Sequence, residues 1–91
     1  MSSLYGFAYS SKALAFLKTI PLKFRKQIIG KVTDLADNPH PSGHKVVQGM
    51  RHNEETVYRI RSGDYRVLYV VRSNPSHVVV LDIDHRKDVY R

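Results

Sequence analysis

The sequence predicts an α+β domain with elements in the order β-α-α-β-β-β, a helical hairpin packed on a mainly antiparallel sheet. Three observations predict it. Phe24, Ile28, Val32 and Leu35 follow one another at steps of 4, 4 and 3, which draws a single apolar stripe along a helix. Past residue 56 the chain turns to alternating apolar and polar residues interrupted by two short turn signals. Between these halves lies a segment rich in proline and glycine that breaks both periodicities.

The elements follow in chain order. "LYGFAYS" (4–10) is aromatic and partly alternating, and reads as a first strand. Ser10 or Ser11 then offers a side-chain oxygen to cap a helix carrying Ala13, Leu14 and Leu17. Pro21 suits the start of the second helix, and Asn38-Pro39 stops it, because the residue before a proline is pushed out of the helical region. The two helices are expected antiparallel, joined near Thr19 to Pro21. Residues 38–56 are irregular, with Lys45 to Val47 as a short extended piece. Three strands follow, 57–61, 64–72 and 77–84, with Ser62-Gly63 and "SNPS" (73–76) as turns. There is no internal repeat, and 91 residues make one domain, 1–91.

An apolar content of 42% suffices for a small core. With 15 Lys and Arg against 8 Asp and Glu the formal net charge is +7, and no consecutive basic block accounts for it. A basic face is therefore expected rather than a basic tail, and with it a polyanionic partner. The absence of cysteine excludes disulfides and thiolate chemistry. No basic start precedes a long apolar run, and no stretch approaches a membrane span; a soluble cytoplasmic chain without a membrane role is expected.

The arginines of "VYRIRSGDYR" (57–66) are the most informative feature. With Ser62-Gly63 as a two-residue loop, Arg61 opposes Asp64 and Arg59 opposes Arg66, and alternation puts all four on one face. The second turn then brings His85 opposite Asp64, onto that same face, and Ile83 opposite Arg66. Tyr58, Ile60, Tyr65, Val67, Tyr69, Val71, Val78 and Val80 take the other face, beneath the helices. Like charges placed opposite each other on a sheet are unfavourable, and a bound phosphate, whose oxygens fit the arginine fork, would offset them.

"KVVQGM" (45–50), "YRIRSGDYRVLYVV" (58–71) and "VVVLDIDHRKDVYR" (78–91) together resemble the RelE-type toxins of the RelE/ParE superfamily, over nearly the whole chain. The resemblance implies a ribosome-dependent, metal-independent mRNA endonuclease without a cofactor, acting in the ribosomal A site and held inactive by a cognate antitoxin. It also implies attack by the substrate's own 2′-hydroxyl on the adjacent phosphodiester. By the same resemblance Arg59 and Arg61 fall at two basic positions of one strand, Arg66 at the arginine gripping the phosphate, Arg86 at the arginine assisting the leaving group, and Tyr90 at a tyrosine contacting the nucleotide. Arginine stays protonated, so His85 is the better proton carrier. Lys45, Arg51 and Arg91 are further candidate RNA contacts.

Other constellations point nowhere specific. His40 and His44 are four apart, but "HPSGH" cannot form a helical turn and no acidic residue stands near at ligand spacing, so no metal site is expected. Asp82 and Asp84 form either a carboxylate pair or partners for nearby Arg and Lys. Tyr65 and Tyr69 read as core. Two other readings remain open at this point: a ParE-like relative that inhibits a topoisomerase without nuclease chemistry, and a non-catalytic RNA-binding module.

Overall fold

A computed structural model describes residues 6–41, 43–73 and 75–85. Strand β1 (Gly6–Tyr9) leads into helix α1 (Ser11–Leu17) and helix α2 (Leu22–Asp37), followed by β2 (Lys45–His52), β3 (Glu55–Ser62), β4 (Tyr65–Arg72) and β5 (His77–His85). The five strands form one sheet in the order β1-β5-β4-β3-β2. Only β1 runs parallel to its neighbour, β5; the other pairings are antiparallel.

The α+β architecture is the expected one, with an addition. The segment expected to be irregular contains a full strand, β2, antiparallel to β3. Its pairing is interrupted between Val46 and Arg51, where Gly49 adopts a φ of 75° that side-chain-bearing residues rarely take. That irregularity disguised the strand.

Ser10 caps α1 as expected: its Oγ accepts from the Ala13 N–H at 3.0 Å. Pro21 stands at the N-cap of α2. The Arg25 side chain ties the two helices, its Nε donating to the Leu17 carbonyl at 2.9 Å and Nη2 to the Ile20 carbonyl at 3.3 Å. The Leu17 carbonyl ends α1 and has no partner within it, and the Ile20 carbonyl belongs to the linker between the helices. One helical face is apolar and lies on one sheet face. Ala13, Leu17, Ile28, Val32 and Leu35 meet Ile60, Tyr65, Val67, Tyr69, Val78, Val80 and Ile83 in a single cluster. Phe24, at the start of the stripe, is more exposed and sets its ring against Tyr65.

Two registers differ from expectation, and both matter for the site. The β3–β4 loop is Gly63-Asp64, not Ser62-Gly63; Ser62 pairs with Tyr65 and is buried. Gly63 is the first loop residue, with a φ of 59°, where a tight hairpin turn favours glycine. In β5, Val80 pairs with Tyr69 but Asp82 pairs with Leu68, so Leu81 is an extra, bulged residue. The bulge is secured from α1: Ser10 Oγ donates to the Leu81 carbonyl at 2.6 Å. No helix among the described residues is long and apolar enough to cross a membrane.

Candidate functional site

The sheet face turned away from the helices carries the cations. Ile60, Val67 and Tyr69 point into the core, so alternation sends Arg59, Arg61 and Arg66 outward together. The displaced hairpin loop moves the β3–β4 pairing by two residues, which preserves the face but changes the neighbours. Arg61 is directly opposite Arg66, Arg59 is opposite Leu68, and Asp64 lies in the loop. The expected pairs Arg61–Asp64 and Arg59–Arg66 are not formed.

On the other flank of β3, Lys45 is directly opposite Arg59. The sheet therefore holds two like-charge pairs in register, Lys45–Arg59 and Arg61–Arg66. Each such pair costs roughly 0.2–1 kcal/mol against a neutral one. The four side chains border one hollow of about 370 Å³, lined by Gly43, Lys45, Arg59, Ile60, Arg61 and Arg66. Among the described residues its lining combines four cationic side chains with Gly43 and Ile60, which suits a phosphodiester.

Aromatic rings position the loop that supplies Gly43 and Lys45. The buried Tyr69 hydroxyl donates to the Pro39 carbonyl at 2.7 Å, and the His44 Nδ1 lies 2.7 Å from the Pro41 carbonyl. Tyr58 stacks on Tyr69 with ring centres 5.7 Å apart, and meets His40 and His44 at 5.1 and 5.5 Å. Burial first, and electrostatic interaction with the Tyr58 phenol second, push the Tyr69 phenol well above its ordinary range. It is thus a fixed hydrogen-bond donor, not a proton carrier. His40 and His44 are ring neighbours, and no group of three potential ligands stands close enough to hold a metal ion among the described residues.

The bulge corrects the expectation for His85. The extra residue at Leu81 exchanges the faces of everything after it in β5, so His85 pairs with Tyr65 instead of Asp64. Its ring stands edge-on to Tyr65, centres 5.1 Å apart at 88°. It does not join the arginine row. Asp84 takes the outward place and stands directly opposite Arg66, where Ile83 was expected. Nothing in the composition of β5 singled out Asp84 over Asp82. Arg51 is also placed elsewhere: it borders a separate hollow of about 260 Å³ along the irregular part of β2, and its Nη2 donates to the Glu54 carbonyl. Arg86, Tyr90 and Arg91 lie outside the described residues.

A family model described as the ParE toxin of type II toxin-antitoxin systems matches residues 7–90. The chain belongs to this toxin family. The RelE1 protein of Methanocaldococcus jannaschii is 29% identical over 80 residues, 88% of each chain. Among solved structures, the RelE–RelB complex of Pyrococcus horikoshii superposes with a TM-score of 0.76 at 22% identity, covering 91% of this chain and 96% of that one. The toxin–antitoxin complex RelBE2 of Mycobacterium tuberculosis superposes with a TM-score of 0.74 at 25% identity, covering 94% of both. The chain is a RelE-type toxin of the RelE/ParE superfamily, with the two helices and mostly antiparallel sheet of RelE structures.

Proposed function

We propose that this toxin is a metal-independent endoribonuclease that cuts mRNA in the A site of the ribosome. The observation that carries the proposal is the hollow bordered by Lys45, Arg59, Arg61 and Arg66, in which two like-charge pairs face each other in register. A folded chain keeps such pairs at a cost, and a phosphodiester reverses that cost.

In the proposed reaction the ribose 2′-oxygen attacks the adjacent phosphorus, the bond to the 5′-oxygen breaks, and a 2′,3′-cyclic phosphate and a 5′-hydroxyl result. The 2′-hydroxyl proton passes to an acceptor and the leaving 5′-oxygen gains a proton. Arg66 and Arg61 meet the negative charge that grows on the phosphate oxygens, while Lys45 and Arg59 hold the flanking backbone. Arg86 assists the leaving oxygen and Tyr90 contacts the nucleotide, by their sequence correspondence to the family. His85 carries no proton in this reaction; its ring packs on Tyr65. Ribosomal RNA supplies the alignment that a small open hollow lacks, so free RNA is a poor substrate.

A cognate antitoxin is the proposed partner. The P. horikoshii and M. tuberculosis relatives were crystallised as toxin–antitoxin complexes. An acidic or amphipathic segment that folds on contact would neutralise the basic face.

The test is the addition of purified chain to translating ribosomes at physiological salt, with mapping of mRNA 5′ ends. Cuts at A-site codons that vanish with Arg66→Ala support the reading; intact message with a folded protein overturns it. The family model's ParE description favours a second reading, inhibition of a topoisomerase by binding. Under that reading, induction of the toxin in cells stops DNA replication before protein synthesis.

A further inference from the structure

Arg66 has an acidic neighbour that a regular sheet would not have given it. Without the extra residue at Leu81, Ile83 would stand opposite Arg66 and Asp84 would turn toward the helices. With the bulge, Arg61, Arg66 and Asp84 form one row across β3, β4 and β5. Arg61 and Arg66 border the hollow and Asp84 does not, so the carboxylate stands on the flank of Arg66 away from the phosphate site. Arg66 and Asp84 are both half-buried.

Glu55 is engaged by Arg72 and Asp82 by Lys12, whose charge also acts on Asp84. Asp84 is the strand carboxylate in register with the arginine row. Residues directly opposite on antiparallel strands have Cβ atoms about 4.5–5.5 Å apart, within reach of an arginine and an aspartate. A guanidinium has two usable edges. A carboxylate that takes one edge leaves the other presented at a fixed angle. It also counters the push of Arg61 that would otherwise swing Arg66 aside.

We propose that Asp84 is a positioning residue, whose carboxylate holds one edge of the Arg66 guanidinium so that the other faces the hollow. As a contribution to catalysis this rests on the nuclease reading above; as a statement about Arg66 it does not. Bulges are a recurrent device for re-aiming a side chain beside a site, and here the re-aimed side chain is Asp84.

The experiment has two readouts on the full-length chain. In the first, hydrogen exchange of the Arg66 Nε–H is followed by ¹⁵N NMR in wild type, Asp84→Asn and Asp84→Ala. Slow exchange in wild type, intermediate in Asp84→Asn and fast in Asp84→Ala is expected; wild-type exchange in Asp84→Ala overturns the proposal. In the second, cleavage on ribosomes is measured for Asp84→Ala, Arg66→Ala and the double variant. Asp84→Ala is expected to lower kcat by about ten- to a hundredfold, with KM changed by less than about twofold. In the Arg66→Ala background the same substitution adds nothing, whereas a loss that multiplies there shows a general structural role and overturns the proposal. Should wild type itself fail to cut, the nuclease reading falls, and the exchange measurement alone decides whether Asp84 holds Arg66.

Discussion

Arg61 stands directly opposite Arg66 across β3 and β4, and both border the same hollow. Two guanidinium groups so placed repel each other, and the repulsion is relieved when an anion sits between them. Function and stability should therefore respond in opposite directions. Arg61→Gln is expected to leave the melting temperature unchanged or raise it while weakening RNA binding. Arg66→Ala is expected to lower the cleavage rate by about 10²–10³, the usual loss for one preorganised donor to a developing anion. Thermal melts run beside ribosome cleavage assays check both, and a fall in melting temperature for Arg61→Gln would contradict the strained-pair account.

Ser10 links the first helix to the site through the bulge. Its Oγ accepts from the Ala13 N–H and donates to the carbonyl of the bulged Leu81. Ser10→Ala removes a helix cap, worth about 1 kcal/mol, and strands a carbonyl, so a total loss of about 2 kcal/mol is expected in urea unfolding. Ser10→Thr, which keeps the oxygen, should recover most of it. Faster amide exchange at Ile83 in Ser10→Ala would show that the bulge itself has loosened.

Which parts of this arrangement the sequence discloses depends on parity. The shared face of Arg59, Arg61 and Arg66 is legible because a loop displaced by one position changes the cross-strand pairing by two, and a shift of two keeps every side chain on its face. The bulge is harder to see. "VVVL" (78–81) is an unbroken apolar run that offers no alternation to follow. One signal does exist: Ile83, set between Asp82 and Asp84, belongs in the core, as do Val78 and Val80, and the odd step from Val80 to Ile83 requires one extra residue. β2 was hidden for a different reason, since Gly49 and its positive φ interrupt the strand that carries Lys45 to its place opposite Arg59.

His85 provides a direct test of that parity. Its ring packs edge-on against Tyr65, which also meets Phe16 and Phe24. Aromatic pairs of this kind contribute about 0.5–1.5 kcal/mol beyond burial. His85→Phe preserves the packing and removes the titrating group. The expected result is wild-type cleavage with an unaltered pH profile. Collapse of cleavage in a folded His85→Phe variant would instead return the histidine to proton transfer.

At the far end of the cationic face Glu55 and Arg72 form a forked ion pair, with Arg72 Nη2 2.9 Å from Oε1 and Nε 3.0 Å from Oε2. The hydrogen bond from Arg72 is the main force holding the Glu55 carboxyl below its ordinary 4.5, with His52 and His77 adding smaller pulls in the same direction. A depressed acid contributes stability that is present above its unfolded value and lost as pH falls through its folded value. The contribution of this pair should hold at neutral pH and disappear as pH drops below about 4.5. The pair remains partly open to water, so the effect is modest. Melting curves across pH 3–7 check it: Glu55→Gln should flatten the acid limb, and an unchanged acid limb would show the pair to be energetically silent.

Salt dependence separates the cations that meet phosphate from those that do not. Binding of a single-stranded RNA made uncleavable by 2′-deoxy substitution should weaken linearly with the logarithm of salt concentration, because each neutralised phosphate releases counterions. Lys45 and Arg59 stand opposite each other and border the hollow, so Lys45→Gln and Arg59→Gln should each reduce the magnitude of that slope by about 0.7, the value for one contact to a single strand. Arg51 carries the same charge on the same strand as Lys45, but it borders the other hollow and spends a donor on the Glu54 carbonyl. Arg51→Gln should leave the slope as it is. Equal slope changes in all three variants would mean that RNA senses the net charge of the chain, and that the register of Lys45 with Arg59 carries no specific contact.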